Sequence, residues 1–165
     1  MGFHTFVICA YQKSPYLLSC IRSLKSQTED TEIICTTSTP SAWLTEIMEK
    51  QGIPLYVREG ESDIQADWNF AIEKAEGEFV TIAHQDDMYG KHYVEELKKS
   101  YERWPDMTVF MTDAVTIKNG NVQRWSLKEL VKKTLRLPLR FHGLADREAV
   151  KKSGLLFGNP VMCPS

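Results

Sequence analysis

Short apolar, β-branched runs alternate with amphipathic segments through the first two-thirds of the chain, and this alternation restricts the fold more than any other feature. Thr5-Phe6-Val7-Ile8-Cys9-Ala10, Glu32-Ile33-Ile34-Cys35-Thr36, Pro54-Leu55-Tyr56-Val57 and Glu78 to Ala83 read as strands. Between them apolar residues recur at helical spacing. Leu17, Cys20, Ile21 and Leu24 do so from Tyr16 to Gln27, and Trp43, Leu44, Ile47 and Met48 do so up to Gly52. Ile64, Trp68, Ala71, Ile72 and Ala75 form a third inward face, from about Asp63 to Glu76, stopped by Gly77. Ser14-Pro15 and Thr39-Pro40-Ser41 supply cap-and-proline starts. A helix from Tyr93 to Arg103 closes at Trp104-Pro105, followed by an expected strand at Thr108 to Thr112 and a hairpin about Asn119-Gly120. The predicted fold is α/β, a mostly parallel sheet with helices on both faces. Its ligand crevice lies at the strands' carboxyl ends, where Ala10-Tyr11, Thr36-Thr37-Ser38 and His84 to Asp87 would meet.

A chain of 165 residues accommodates one domain with a substantial core. Its net charge of −2 provides no field to collect nucleic acid, so nucleic-acid binding is disfavoured. No apolar segment approaches the ~20 residues that span a bilayer, and polar Tyr11-Gln12-Lys13 comes too early for a secretion signal, so the expected location is cytoplasmic. Cys9, Cys20, Cys35 and Cys163 show no metal-binding spacing and read as small core residues in a reducing compartment. Past Gly120 the pattern weakens. A helix is expected over Leu127 to Leu137, broken by Pro138, and the apolar run from Gly154 to Ser165 reads as the middle of a domain, cut.

The chemistry concentrates in Glu78 to Tyr89, where a β-rich run delivers Asp86 and Asp87 into a turn with no cation beside them. Adjacent carboxylates at the end of a buried strand repel unless a cation or hydrogen-bond donors neutralise them, which points to a divalent-metal and phosphate site. Capping of the following helix is the competing use of such a pair. Asp67 and Asn69 fall mid-helix, where propensity favours neither, so they either face the crevice or form a solvated surface. Tyr11 stacks on a planar ligand or packs on the first helix, and Lys13 meets a diphosphate or is simply solvated. His84 is a ligand, a donor near the site or a satisfied buried histidine. Trp68 reads as a core anchor.

Together these residues resemble a family 2 inverting glycosyltransferase, dependent on nucleotide-sugars and built on the GT-A fold. The resemblance runs from Thr5 to about Val115, with a fainter echo at Gly158 to Ser165. It is carried by Thr5 to Ala10 with Tyr11-Gln12-Lys13, by Asp67-Trp68-Asn69-Phe70-Ala71-Ile72, and by Ala75-Glu76-Gly77-Glu78-Phe79-Val80 running into His84-Gln85-Asp86-Asp87. It implies a Rossmann-like donor-binding core over 1–118, a partial acceptor-side region over 119–165, and an Asp-x-Asp motif binding Mn²⁺ or Mg²⁺. The second aspartate of that motif falls on Asp86, Asp87 follows it, and His84 replaces the first, which favours Mn²⁺ because that ion accepts imidazole. Ala10, Tyr11, Lys13, Thr37, Asp67, Asn69, His84, Gln85 and Asp86 are the implied donor-binding residues, with Asp86 and Asp87 on the metal. Hydroxyls at Thr36-Thr37-Ser38 replace the family's base-reading aspartate and leave the base open. The general base is expected beyond Ser165. The implied partners are a nucleotide-sugar and a saccharide or lipid-linked acceptor, and a homo-oligomer is compatible with the sequence. Two rival readings are a nucleotidyltransferase, disfavoured because Ala10 to Pro15 has no glycine, and a catalytically silent binding or assembly module.

Overall fold

β1 (His4–Ala10) is the central strand, buried along nearly its whole length, as a strand covered on both faces must be. The computed structural model describes residues 2–118, 121–123, 134 and 152. β2 (Glu32–Thr37) lies parallel to β1 in a register running from Thr5 opposite Glu32 to Ala10 opposite Thr37, and β3 (Leu55–Val57) pairs parallel on its outer side. The chain then returns to the other side of β1, where β4 (Phe79–His84) pairs parallel from His4 opposite Phe79 to Cys9 opposite His84. The strand order β3-β2-β1-β4 therefore reverses direction between β1 and β4. A crevice opens at such a reversal, outside the strands' carboxyl ends.

Helices α1 (Leu17–Lys25), α2 (Ala42–Gln51), α3 (Ile64–Lys74) and α4 (Tyr93–Arg103) connect and cover the strands. Successive β1 side chains point to opposite faces, so Phe6 and Ile8 pack with Leu17, Ile21, Leu24, Leu44 and Val94, while Val7 packs with Ile34 and Ala71 beneath α3. Helices on both faces agree with the sequence expectation. Contacts divide the chain into residues 1–108 and 109–164. The second unit contains β5 (Thr116–Lys118) and β6 (Asn121–Gln123), paired antiparallel with Ile117 opposite Val122, as the expected hairpin requires. Apart from helical Thr134, the helix expected over 127–137 lies outside the described residues, as do 154–165 with Cys163.

Several local expectations need correction. α1 begins at Leu17 with Tyr16 in the cap position, because the Ser14 hydroxyl accepts the Tyr16 N–H (3.2 Å) in a turn ahead of the helix. Ser41 caps α2 by accepting the Leu44 N–H (3.2 Å), and Gly52 ends it at φ 63°. Asp63 caps α3, which stops at Lys74. Ile64 and Ile72, expected inward, are 72% and 53% exposed, because the small Ala71 and Ala75 make the contact with the sheet and leave the flanks outside it. Thr108 to Thr112 forms no strand, and Val109 and Met111 are exposed, since a short apolar run becomes a strand only where an edge accepts its hydrogen bonds.

His4 gives the fold a pH dependence. Its buried ring lies between Thr31 Oγ1 (2.7 Å) and Thr81 Oγ1 (2.9 Å), and burial lowers its pKa from 6.5 to about 4. Between those values the unfolded chain binds the extra proton, so stability is full above the ordinary value and falls as the pH falls towards 4. Denaturant titrations at pH 7 and pH 4 should show a loss about 3 kcal/mol larger for the wild type than for His4→Gln.

Candidate active site

Three strand ends and one helix enclose a cleft of about 480 Å³. Ala10 and Tyr11 enter it from β1, Thr37 from β2, His84, Gln85 and Asp86 from beyond β4, and Asp67 and Trp68 from α3. The β4 turn closes when the Asp87 N–H donates to the His84 carbonyl (3.1 Å). That closure gathers His84, Asp86 and Asp87, each offering one ligand atom within 4.8 Å of the others. One imidazole and two carboxylates are a donor set of the kind that holds a divalent cation.

The residues present fit a cation. Asp87 Oδ2 is buried and has no hydrogen-bond partner, an arrangement that costs free energy unless a positive or donating group faces it. Burial raises the Asp87 pKa, the Asp86 charge raises it further, and His84 pulls it the other way. Asp86 itself is exposed at the cleft. Beneath the turn, the Cys20 thiol donates to the His84 carbonyl (3.4 Å), and burial with the two aspartates pushes its pKa up to about 12, so it offers no thiolate.

α3 builds the opposite wall. Asp67 Oδ1 accepts from Arg58 Nε (2.6 Å), and its Oδ2 accepts from Ser38 (2.9 Å) and Ser62 (3.1 Å). Burial raises the Asp67 pKa, but the guanidinium and the two hydroxyls outweigh it and hold the carboxyl below its usual value. Arg58 also donates to the Glu59 and Glu61 carbonyls, so the cation is committed to holding its own loop. The cleft lining contains no lysine or arginine among the described residues.

Most of the residues expected from the sequence meet here; Asp87 joins the cluster from outside the cleft lining, and two others stand apart from both. Asn69 is exposed and outside the lining, because residues two apart on a helix point in widely different directions and Asp67 already faces inward. Lys13 lies with its ammonium 5.4 Å from the centre of the Trp43 ring, also outside the lining. Thr37 is buried and saturated, donating to the Ala10 carbonyl (2.7 Å) and accepting the Thr39 N–H (3.0 Å). Trp68, expected in the core, is half-buried on the cleft wall with its ring 5.5 Å from that of His84. Sequence reasoning missed Arg58 and Ser62. Their only signal was a lone basic residue and a hydroxyl in the loop just ahead of the helix that carries Asp67.

An open parallel sheet with its cleft at the point of strand reversal defines a doubly wound α/β ligand-binding fold. The sequence model of Glycosyl transferase family 2 matches residues 5–153, and the chain belongs to that family. Two crystal structures from S. aureus show the similarity in fold. TarS 1-349 superimposes with a TM-score of 0.54 at 21% identity, covering 61% of this chain and 32% of that one. A second TarS structure gives 0.53 at 21% identity, covering 61% of this chain and 20% of that one. The chain thus spans about a third or less of either. No curated protein matches. Among the described residues, no helix is long and apolar enough to cross a membrane.

Proposed function

We propose that the chain binds a nucleotide-sugar as the donor for transfer, with inversion, to a saccharide or lipid-linked acceptor. His84, Asp86 and Asp87 would hold Mn²⁺ or Mg²⁺, and Gln85, Ala10 and Thr37 would shape the pocket around the donor. Tyr11 would stack on its base, with Asp67 fixing the far wall. The observation that carries this reading is a His-Asp-Asp cluster: His84 and Asp86 line a cleft that supplies no lysine or arginine, and Asp87, outside the lining, adds a buried, unpartnered carboxylate oxygen. A diphosphate beside Asp86 and Asp87 would meet like charge, which a divalent cation between them would offset. Once bound, the ion would stabilise the negative charge that develops on the departing diphosphate. Asp86 and Asp87 would fix the position of the ion, and Trp68, with its ring 5.5 Å from that of His84, would hold the imidazole towards it.

Calorimetry with UDP and with GDP tests the reading. Binding of at least one is expected in MnCl₂ and none in EDTA. Equal binding in EDTA, or none in either condition, contradicts it.

A further inference from the structure

We propose that Gln12 is a positioning residue that sets the Tyr11 ring against the planar group of a bound nucleotide, an inference that rests on the nucleotide-binding reading above. Among the described residues, Gln12 is the only non-glycine one with a positive φ, at 52°. L-residues avoid that conformation, so it persists only where neighbouring contacts enforce it. The contacts are visible. The Gln12 N–H donates to Thr39 Oγ1 (2.7 Å), and its side-chain Nε2 donates to the Tyr11 hydroxyl (3.1 Å). Gln85 Nε2 donates to the Tyr11 carbonyl (2.5 Å), tying the same residue to the turn that carries His84, Asp86 and Asp87.

These bonds serve no buried core contact. Tyr11, the residue they fix, is 52% exposed and lines the cleft. A ring held in place before binding loses little freedom when a ligand arrives, and stacking on an aromatic face tolerates any base. The left-handed turn therefore favours ligand binding by ordering the platform in advance. Gln85 places that platform at a fixed position relative to the cation-binding turn, which suits a ligand with a ring at one end and phosphates at the other.

The test compares UDP, or GDP in its place throughout where the wild type binds that one, with inorganic pyrophosphate, both in MnCl₂, by calorimetry on the 165-residue chain. Gln12→Val introduces a β-branched residue that resists positive φ, whereas Gln12→Asn tolerates it. Gln12→Val is expected to weaken UDP about tenfold and change pyrophosphate less than about twofold, because only UDP carries a ring to stack. Gln12→Asn should keep UDP within about threefold of the wild type. In a Tyr11→Ala background, Gln12→Val should have no further effect. Thr39→Val, which removes the acceptor of the Gln12 N–H, should also weaken UDP alone, and it keeps the test decisive should the Gln12→Val chain melt. Equal losses for both ligands, a Gln12→Val chain that binds UDP as the wild type does, or an effect that survives in Tyr11→Ala would overturn the proposal. No UDP or GDP binding by the wild type would instead overturn the nucleotide reading, and the inference with it.

Discussion

Asp86→Asn and Asp87→Asn should each weaken Mn²⁺-dependent UDP binding by at least about 100-fold, or about 3 kcal/mol. Each change removes a carboxylate charge from a three-residue cluster while keeping the shape of the side chain. The loss of binding at Asp87 should not be a loss of stability without metal. Asp87 is disfavoured as an anion by burial and by Asp86, so its raised pKa stabilises the protonated form at low pH, and that contribution is lost as the pH rises and the proton leaves. Asp87→Asn should therefore melt no lower than the wild type at pH 7 in EDTA, even though it binds the cation poorly. By the same linkage, the wild type's apparent Mn²⁺ affinity should fall as the medium becomes acidic, because the ion must displace that proton. A differential scanning fluorimetry series in EDTA and MnCl₂ reads both effects. An Asp87→Asn chain still stabilised by Mn²⁺ as strongly as the wild type would contradict the assignment.

Gly77→Ala should destabilise the fold by about 3 kcal/mol, near the upper end for overpacking. An added Cβ would lie 2.7 Å from the Thr5 backbone nitrogen and 2.8 Å from the His4 carbonyl carbon, and backbone atoms cannot step aside as a flexible side chain can. The Gly77 N–H also donates to Thr5 Oγ1 (2.9 Å), and the residue sits just ahead of β4 where that strand is brought alongside β1. Any shift there would carry along the strand to His84 and the turn beyond it. Gly52 is the contrasting case. Its added Cβ meets nothing within 4 Å, and only φ 63° opposes alanine, so Gly52→Ala should cost about 1 kcal/mol. Urea unfolding at pH 7 separates the two, and equal losses would mean that the close approach at Gly77 relaxes freely.

Much of the architecture was legible because burial leaves a period in the sequence. The β1 run Thr5 to Ala10 is apolar on both faces since helices cover both, and Leu17, Cys20, Ile21 and Leu24 mark the buried stripe of α1. The same logic failed at Ile64 and Ile72, where two alanines lie closest to the sheet and larger neighbours remain outside. It failed again at Thr108 to Thr112, where an apolar run reports what residues could bury and not whether an edge is there to pair with them. At the site, the strand-end positions were readable from topology alone, because Tyr11, Thr37 and His84 end or follow parallel strands. Asp67 together with Asn69 was not a compatible pair once the helix formed. The Arg58–Asp67 pair joins a loop to a helix across nine residues, and the left-handed backbone at Gln12 depends on Thr39 and Gln85, so no local pattern announces either.

Electron paramagnetic resonance of Mn²⁺ titrated with the chain in the presence of UDP, and separately of GDP, tests the cation-centred account most directly; the outcome is read with whichever nucleotide the chain binds. The free-ion signal should fall to a plateau at one ion per chain and should persist when the Asp86→Asn or Asp87→Asn chain is added at the same concentration. A spectrum unchanged by the wild-type chain, or quenched equally by the variants, would contradict it.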